Sequence, residues 1–511
     1  MSTRAQVNGY RFLLRRLDHA LVRRDVRMLH DPMRAQFRSL ISGAIIAMLV
    51  VAGAAIMAFI KPQGSIGNAH IVMGKDSGAL YVLTNDDKND KTKTTLHPAL
   101  NLASARLITG SSESPTSVKD SKLNSVPRGP LLGIPGVPAA LPGSSQGERS
   151  QWTMCDTVKL SDTGGAASSP GAAATVIAGG LTLGDRIKQG DPGTALLVHH
   201  RDEVRKVEVT YLIYDGKKAE IQTDAEPQNA AVMNALKVKD KVIRPISADF
   251  LNAAIPAAPL KVPNIPQKGA AGPNGLSDTP VGSVIKVQAN DGSDRSDLYI
   301  VLSNGVQRIS PFTSAVLQTV VKTVSSDKLS GLLPPIHDLP LDDFPEAVSK
   351  VIAPEDGPVA CITWIKRSGL GKEDLDATEG PADRPEIQLL VGTRPPLSDS
   401  QTPVKLATKK DSTVDSVTKV YVPPTTGEYV RTTGIDPNNP RRDSLFYIAD
   451  NGIRYGIPDK DTAKLLGLGD QPRLAPWSIV SSLISGPTLS KSDAMTQWDD
   501  MSMTGGKSYG S

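Results

Sequence analysis

Apolar positions recur along this chain with three different spacings, and each spacing predicts a different element. From Leu40 to Ile60 the run LISGAIIAMLVVAGAAIMAFI carries no charge at all. As a helix rising ~1.5 Å per residue it would reach about 30 Å, the depth of a bilayer's hydrocarbon core, so residues 39–61 are expected to cross a membrane. Upstream, Tyr10, Leu13, Leu14, Leu17 and Leu21 fall at helical spacing on one stripe, while Arg11, Arg15 and Arg16 take much of the remaining surface. Asp31-Pro32 is expected to break this helix before the apolar run. Downstream, short apolar runs are punctuated by turn pairs, which is the signature of hairpins.

Those hairpins recur in one order: strand, tight turn, strand, helix. The clearest stretches are Leu298 to Val320 and Leu445 to Leu468, with Asn304-Gly305 and Asn451-Gly452 as turn pairs suited to positive φ. Ile309 and Ile457 are each followed by alanine (Ala315, Ala463) and leucine (Leu317, Leu465) at equal offsets. Tyr211 to Leu236 repeats the order around Asp215-Gly216, and Leu80 to Ile108 repeats it with a polar loop from Asn85 to Thr95 as the turn. Proline pairs at Pro245/Pro256 and Pro476/Pro487 bracket a second, shorter helix, and Ser117 to Val126 is a looser version. A lone hairpin buries too little apolar surface, so each hairpin, its helix and the short helix should share a small core. The stretches Pro127 to Gly147, Gly164 to Gly180 and Ala253 to Gly282 are rich in Pro, Gly, Ala and Ser. They read as ordered irregular connections or linkers.

The expected fold class is therefore α+β: an amphipathic helix, one transmembrane helix, and four hairpin/helix repeats around a central β-rich domain. The boundaries are an arm at 1–38, the span at 39–61, and repeats at 62–130, 196–262, 280–335 and 421–495. Central halves lie at 131–195 and 340–420, the second containing Cys361 and Trp364, and a mobile tail occupies 496–511.

Charge orients this arrangement. Arg4, Arg11, Arg15, Arg16, Arg23, Arg24 and Arg27 precede the span, with Arg34 and Arg38 beside it, which holds the N-terminus in the cytoplasm. Gln63 to Ser511 would then be outside. A cleaved secretory signal is the competing reading, although its apolar region would be only about 7 to 15 residues. The basic arm suits anionic lipid or an acidic protein face. Elsewhere charge is nearly balanced, with Lys+Arg 57 against Asp+Glu 53, and aromatics are few, so nucleic-acid binding has no support. Cys155 and Cys361, the two cysteines, both follow the span, and an oxidising compartment favours their pairing; two buried thiols are the alternative.

Catalytic patterns are absent or misplaced. None of the seven histidines, His199-His200 included, sits in a HExxH motif, and the cysteines lack zinc-site spacing. Gly143-Ser144-Ser145-Gln146-Gly147 matches GxSxG but lies in an irregular stretch instead of a strand-to-helix elbow. Gly506-Lys507-Ser508 resembles the end of a phosphate loop, but Met501 stands where its first glycine should be. The Asp342-Asp343 pair has nothing to place it in a cleft. No catalytic residue, metal site or cofactor is expected.

Ordered motifs along nearly the whole chain carry a family resemblance. They include Gln6-Val7-x-Gly9-Tyr10-Arg11-Phe12 with Arg15-Arg16, Val26-Arg27-Met28, and Lys61-Pro62-Gln63-Gly64. Ser77-Gly78-Ala79-Leu80-Tyr81-Val82, Leu96-x-Pro98-Ala99-Leu100-Asn101-Leu102-Ala103-Ser104-Ala105-Arg106-Leu107 and Gly133-Ile134-Pro135-Gly136 continue the series. Trp152-x-x-Cys155-Asp156-Thr157, Gly452-Ile453-Arg454-Tyr455-Gly456-Ile457 and Ala475-Pro476-Trp477 complete it. The order resembles the EccB family, the single-pass membrane component of ESX type VII secretion systems. That resemblance implies a structural subunit of an inner-membrane complex with EccC-, EccD- and EccE-like partners, EccC being the FtsK/SpoIIIE-like ATPase. It implies that the arm, through Leu13, Leu14, Leu17, Leu21, Arg15 and Arg16, contacts neighbouring subunits. It also implies an elongated periplasmic region, similar to a phage-lysin wall-binding subunit, which self-associates as dimers within a larger ring. ATP hydrolysis has been attributed to some relatives, but the residues here encode no phosphate loop. A wall-binding envelope protein and an envelope nucleotide hydrolase are the alternatives.

Overall fold

The computed structural model describes the chain apart from residues 1, 25–31, 61–65, 67–68, 86–93, 139, 148, 162–172, 203, 223–226, 239–241, 289–295, 319–322, 326–335, 368–383, 407–415 and 499–511. It divides into two compact units: Met1–Asn68 with Gly74–Ser77 and Thr116–Ser125, and the remainder.

The first unit is led by two helices, Arg4–Arg23 and Pro32–Ile60. The Gln6 side chain reaches back to accept from Thr3 N at 3.0 Å, closing the first helix at its start. That helix ends at Arg24, whose left-handed backbone (φ 50°) returns its N–H to Ala20 O. The break thus begins before Asp31-Pro32. Pro32 opens the second helix, at a first-turn position where its missing N–H costs nothing. Within this unit the short helix Asp120–Leu123 also begins with a useful side chain: Asp120 accepts from Ser77 N at 3.1 Å.

In the second unit, three antiparallel strands followed by a helix occur four times. The first meander is Ile71–Gly74, Leu80–Asn85 and Thr94–Pro98, then helix Leu102–Thr109. The second is Thr194–Asp202, Val207–Tyr214 and Lys217–Ile221, then Pro227–Leu236. The third is Val284–Gln288, Ser296–Leu302 and Gly305–Ile309, then Pro311–Gln318. The fourth is Gly427–Thr433, Leu445–Ala449 and Ile453–Ile457, then Lys460–Leu466. In the second, third and fourth a further strand returns parallel to the first: Arg244–Pro245, Thr323–Ser325 and Arg473–Pro476. The proline-bracketed segments form short helices, Ala248–Asn252 and Trp477–Val480, each leading to a two-residue strand parallel to the third.

The turns differ from one another. Asp215 and Gly216 both have positive φ (46° and 74°) between the paired residues Tyr214 and Lys217, the two-residue turn expected from Asp-Gly. At Asn451-Gly452 only the glycine is left-handed. The expected Asn304-Gly305 turn is corrected: Gly305 already pairs with Leu302, so Ser303 and Asn304 turn the chain, with neither at positive φ.

A seven-stranded sheet joins the two central halves. Its order is Val404–Lys405, Val417–Tyr421, Ala173–Ala178, Ser150–Thr157, Val359–Lys366, Glu386–Gly392 and Ile187–Gln189. Lys350–Val351, expected in this domain, instead extends the second meander's sheet alongside Thr194 and Ala195. The irregular stretch from Ala253 to Gly282 is ordered and contributes Leu260, Leu276 and Val281 to cores. Gln497 and Trp498, expected in the mobile tail, are pinned: Trp498 N donates to Leu131 O at 2.9 Å and its Nε1 to Gly133 O at 2.7 Å. Thr496 O accepts from Gly133 N, and residues 499–511 lie outside the described residues.

Cores link elements far apart in sequence. Ile71, Val82 and Leu107 share one with Tyr447, Tyr455 and Leu466, so the first and fourth meanders pack together. Leu212 and Val232 share another with Phe312 and Val316, joining the second and third. One face of the central sheet, with Trp152 and Trp364, is covered by Phe250 and Leu251 of one short helix and by Ile479 and Val480 of the other. Each such buried side chain is worth about 1.5–3 kcal/mol, which is why these short elements persist only as a set.

Candidate functional site

Two features of the first unit call for a nonaqueous or protein environment. Phe37–Met57 is a 21-residue apolar helix segment, none of it buried within the chain. On the Arg4–Arg23 helix the predicted stripe is exposed: Leu13, Leu17 and Leu21 stand out, the last 72 % exposed, and Leu14 is nearly half exposed. Arg15 and Arg16 are also exposed, and Phe12 and Val22 add apolar surface outside the stripe. Covering a leucine side chain gains roughly 1.5–3 kcal/mol, so the stripe is a surface in need of a partner.

In the second unit Cys155 and Cys361 are joined at an S–S distance of 2.07 Å. They face each other directly in neighbouring antiparallel strands, whose register runs from Val359↔Thr157 to Lys366↔Ser150. Beside them Thr153 and Thr363 share a hydroxyl bond of 2.7 Å, and Trp152 opposes Trp364. The bridge therefore staples a strand pair that backbone hydrogen bonds already hold, instead of being the sole tie between the central halves.

The residues singled out for chemistry have structural occupations. Ser144 Oγ donates to Glu428 Oε1 at 2.7 Å, with no histidine in the arrangement. His199 Nδ1 faces Glu208 at 3.1 Å and His200 Nδ1 faces Ile246 O at 3.2 Å. Among the described residues no group of His, Cys, Asp and Glu is placed to hold a metal. Asp343 accepts from Ala258 N at 3.0 Å and from Lys217 at 3.1 Å, and these hold its carboxyl below the ordinary range. Its neighbour Asp342 is not drawn into a site. Gly506-Lys507-Ser508 lies outside the described residues.

Three features were not foreseen. Arg244 is fully buried and donates to Gly357 O, and desolvation lowers its guanidinium to about 10 against the favourable charge of Asp156. Trp477, 41 % exposed, stacks on Phe446 at 5.6 Å, with Arg454 lying 5.0 Å from the indole. Beside Phe446 opens a cleft of about 620 Å³, lined also by Arg431, Asp443, Asp459 and Lys460. Asp459 is already engaged there, accepting from Thr462 N at 2.7 Å as the helix cap. Arg454 and Trp477 fall in motifs that the sequence shows but whose stacking it does not, and Arg244 meets Gly357 and Asp156 only through strands distant along the chain.

Known proteins resemble the chain from end to end. The family described as "Type VII secretion system ESX-1, transport TM domain B" matches residues 1–503. The ESX-3 secretion system ATPase EccB3 of Mycolicibacterium smegmatis is 36% identical over 515 residues, covering 98% of this chain and 91% of that protein. The ESX-1 secretion system ATPase EccB1 of Mycobacterium tuberculosis is 32% identical over 516 residues, covering 98% and 96%. A chain of an intact ESX-5 inner membrane complex superposes with a TM-score of 0.68 at 30% identity, covering 100% of this chain and 98% of that one. The EccB3 dimer from the ESX-3 core complex gives 0.65 at 31% identity, covering 84% and 100%. This chain belongs to the EccB family of type VII secretion membrane proteins.

Proposed function

We propose that this chain is a structural, membrane-anchored subunit of the inner-membrane core complex of a type VII (ESX) secretion system. The observation that carries the proposal is a family match over residues 1–503 on a chain that puts an uncovered leucine stripe ahead of an apolar span, the one such span among the described residues. The arginine-rich arm faces the cytoplasm and the sheets face the periplasm, because positive charge is retained on the cytoplasmic side. The stripe Leu13, Leu14, Leu17 and Leu21, flanked by Arg15 and Arg16, docks on EccC-, EccD- or EccE-like subunits, with lipid around the span. The periplasmic part pairs with a second copy, as the dimeric state of the ESX-3 relative supports.

The four meanders are copies of one unit, at 62–130, 196–262, 280–335 and 421–495, around a central domain from 131–195 and 340–420. Their common strand order supports this, and in the first copy Leu96 bridges Arg128 in parallel where a two-residue strand lies beside the third strand of the second and fourth. Relatives bear the name ATPase; for this chain a scaffold role without hydrolysis is the better reading, since its sequence encodes no phosphate loop. Replacing Leu14→Glu and Leu17→Glu together tests the arm. Partners should be lost from the detergent-extracted complex while the chain stays in the membrane. Wild-type stoichiometry in the double variant would make the arm a lipid-surface helix.

A further inference from the structure

Between the first meander and the central strand that starts at Ser150, the segment from Ile134 to Arg149 is fastened to the C-terminal sheet at five points. Tyr455 Oη donates to Gly136 O at 2.8 Å and Tyr447 Oη to Pro142 O at 3.0 Å. Gly427 N donates to Gly143 O at 3.2 Å, and Arg473 Nε to Gly147 O at 3.0 Å. The fifth is the bond from Ser144 Oγ to Glu428 Oε1. The approach is close enough that a Cβ at Gly427 would collide with the Tyr447 hydroxyl. The fifth fastening differs from the others in resting on a carboxyl group with no exposed surface. Its second oxygen and the buried Nε2 of Gln146 on the strap make no hydrogen bond of good geometry.

We propose that Glu428 is a proton-operated latch: taking up a proton fastens the strap to the C-terminal sheet, and losing it loosens the strap. The physical reason is the cost of a buried charge whose one well-formed side-chain hydrogen bond comes from the Ser144 hydroxyl, with weaker help from Gln146 and Arg473. Ser144 and Gln146 face the carboxyl from the strap, Arg473 from the adjoining strand, and Tyr447 from the neighbouring strand. Burial outweighs the favourable influence of Ser144, Arg473 and Gln146, so the carboxyl sits above its ordinary value of 4.5. A group raised on folding stabilises the folded form below its unfolded value, and that stabilisation is lost as pH rises through the raised value. Acidification therefore tightens this connection, and the inference does not depend on the secretion role.

Hydrogen exchange of the full-length chain in detergent, at about pH 4.5 and about pH 8 after correction for intrinsic rates, tests it. Peptides covering 134–150 should be protected several-fold more at the lower pH in wild type. Glu428→Gln should be protected equally at both pH values, and Ser144→Ala should lose protection mainly at the higher one. Equal wild-type protection at both values would overturn the latch, and so would a pH dependence that survives in Glu428→Gln. Should Glu428→Gln fail to fold, the Ser144→Ala comparison decides: equal loss at both values would overturn it.

Discussion

Replacing both cysteines by alanine probes how the central sheet is held. The bridge closes a loop with a sequence separation of 206 residues. In the chain-entropy account, releasing a loop of that length raises the disorder of the unfolded chain by the equivalent of about 5 kcal/mol. The folded side should change little. The strand pair keeps its register from Val359↔Thr157 to Lys366↔Ser150, the Thr153–Thr363 bond remains, and the lost sulfurs leave only a small gap among Ile177, Val359 and Leu390. Native strain and residual structure in the unfolded chain reduce such figures, so the expected loss is about 2–5 kcal/mol. With a urea slope of about 2 kcal/mol per M, the midpoint should fall by about 1–2.5 M. Tryptophan fluorescence follows the relevant strands, because Trp152 and Trp364 oppose each other beside the bridge and are wholly buried. The variant should keep the wild-type emission before denaturant is added. A loss below about 1 kcal/mol would refute the loop argument. Emission already shifted to the red without urea would show that the bridge holds the sheet together instead of stapling a pair that stands by itself.

Further outcomes follow from other parts of the chain. Alkaline phosphatase fused after residue 150 should be active in whole cells and a fusion at residue 30 inactive; the reverse pattern would invert the proposed orientation. Arg244→Ala should cost about 3 kcal/mol, since it leaves the buried Asp156 carboxylate without its nearby cation; a thermal melt unchanged from wild type would contradict that. Purified protein should neither bind ATP at micromolar affinity nor hydrolyse it; turnover that persists after removal of residues 497–511 and further size-exclusion purification would point to a site built by sheet packing.

What could be read from the sequence was whatever is local. An uncharged run from Leu40 to Ile60, a leucine stripe at helical spacing and an Asp-Gly pair between apolar runs each state their structure within a few residues. Their details still yielded to tertiary context, since Gly305 entered a strand where Ser303 and Asn304 could turn without positive φ. Long-range pairing left no such mark. Nothing near Trp152 announces that it will oppose Trp364, or that Lys350 will extend another domain's sheet. The strap is the sharpest case. Ser144 attracted notice through a catalytic pattern, while its actual partner, Glu428, is 284 residues away and looks unremarkable in a strand. Gln497 and Trp498 misled in the other direction, because a polar, glycine-rich neighbourhood concealed a residue that bridges Leu132 and another that locks onto Leu131 and Gly133.

The central claim, a structural subunit of a type VII inner-membrane complex, is tested most directly by its company in the membrane. A tagged full-length chain, extracted from its own membranes in mild detergent and sized before mass spectrometry, should migrate as a large complex. It should contain at least two copies of itself with EccC-, EccD- and EccE-like subunits at fixed ratios. Recovery of the chain alone, or bound only to cell-wall fragments, would contradict the account.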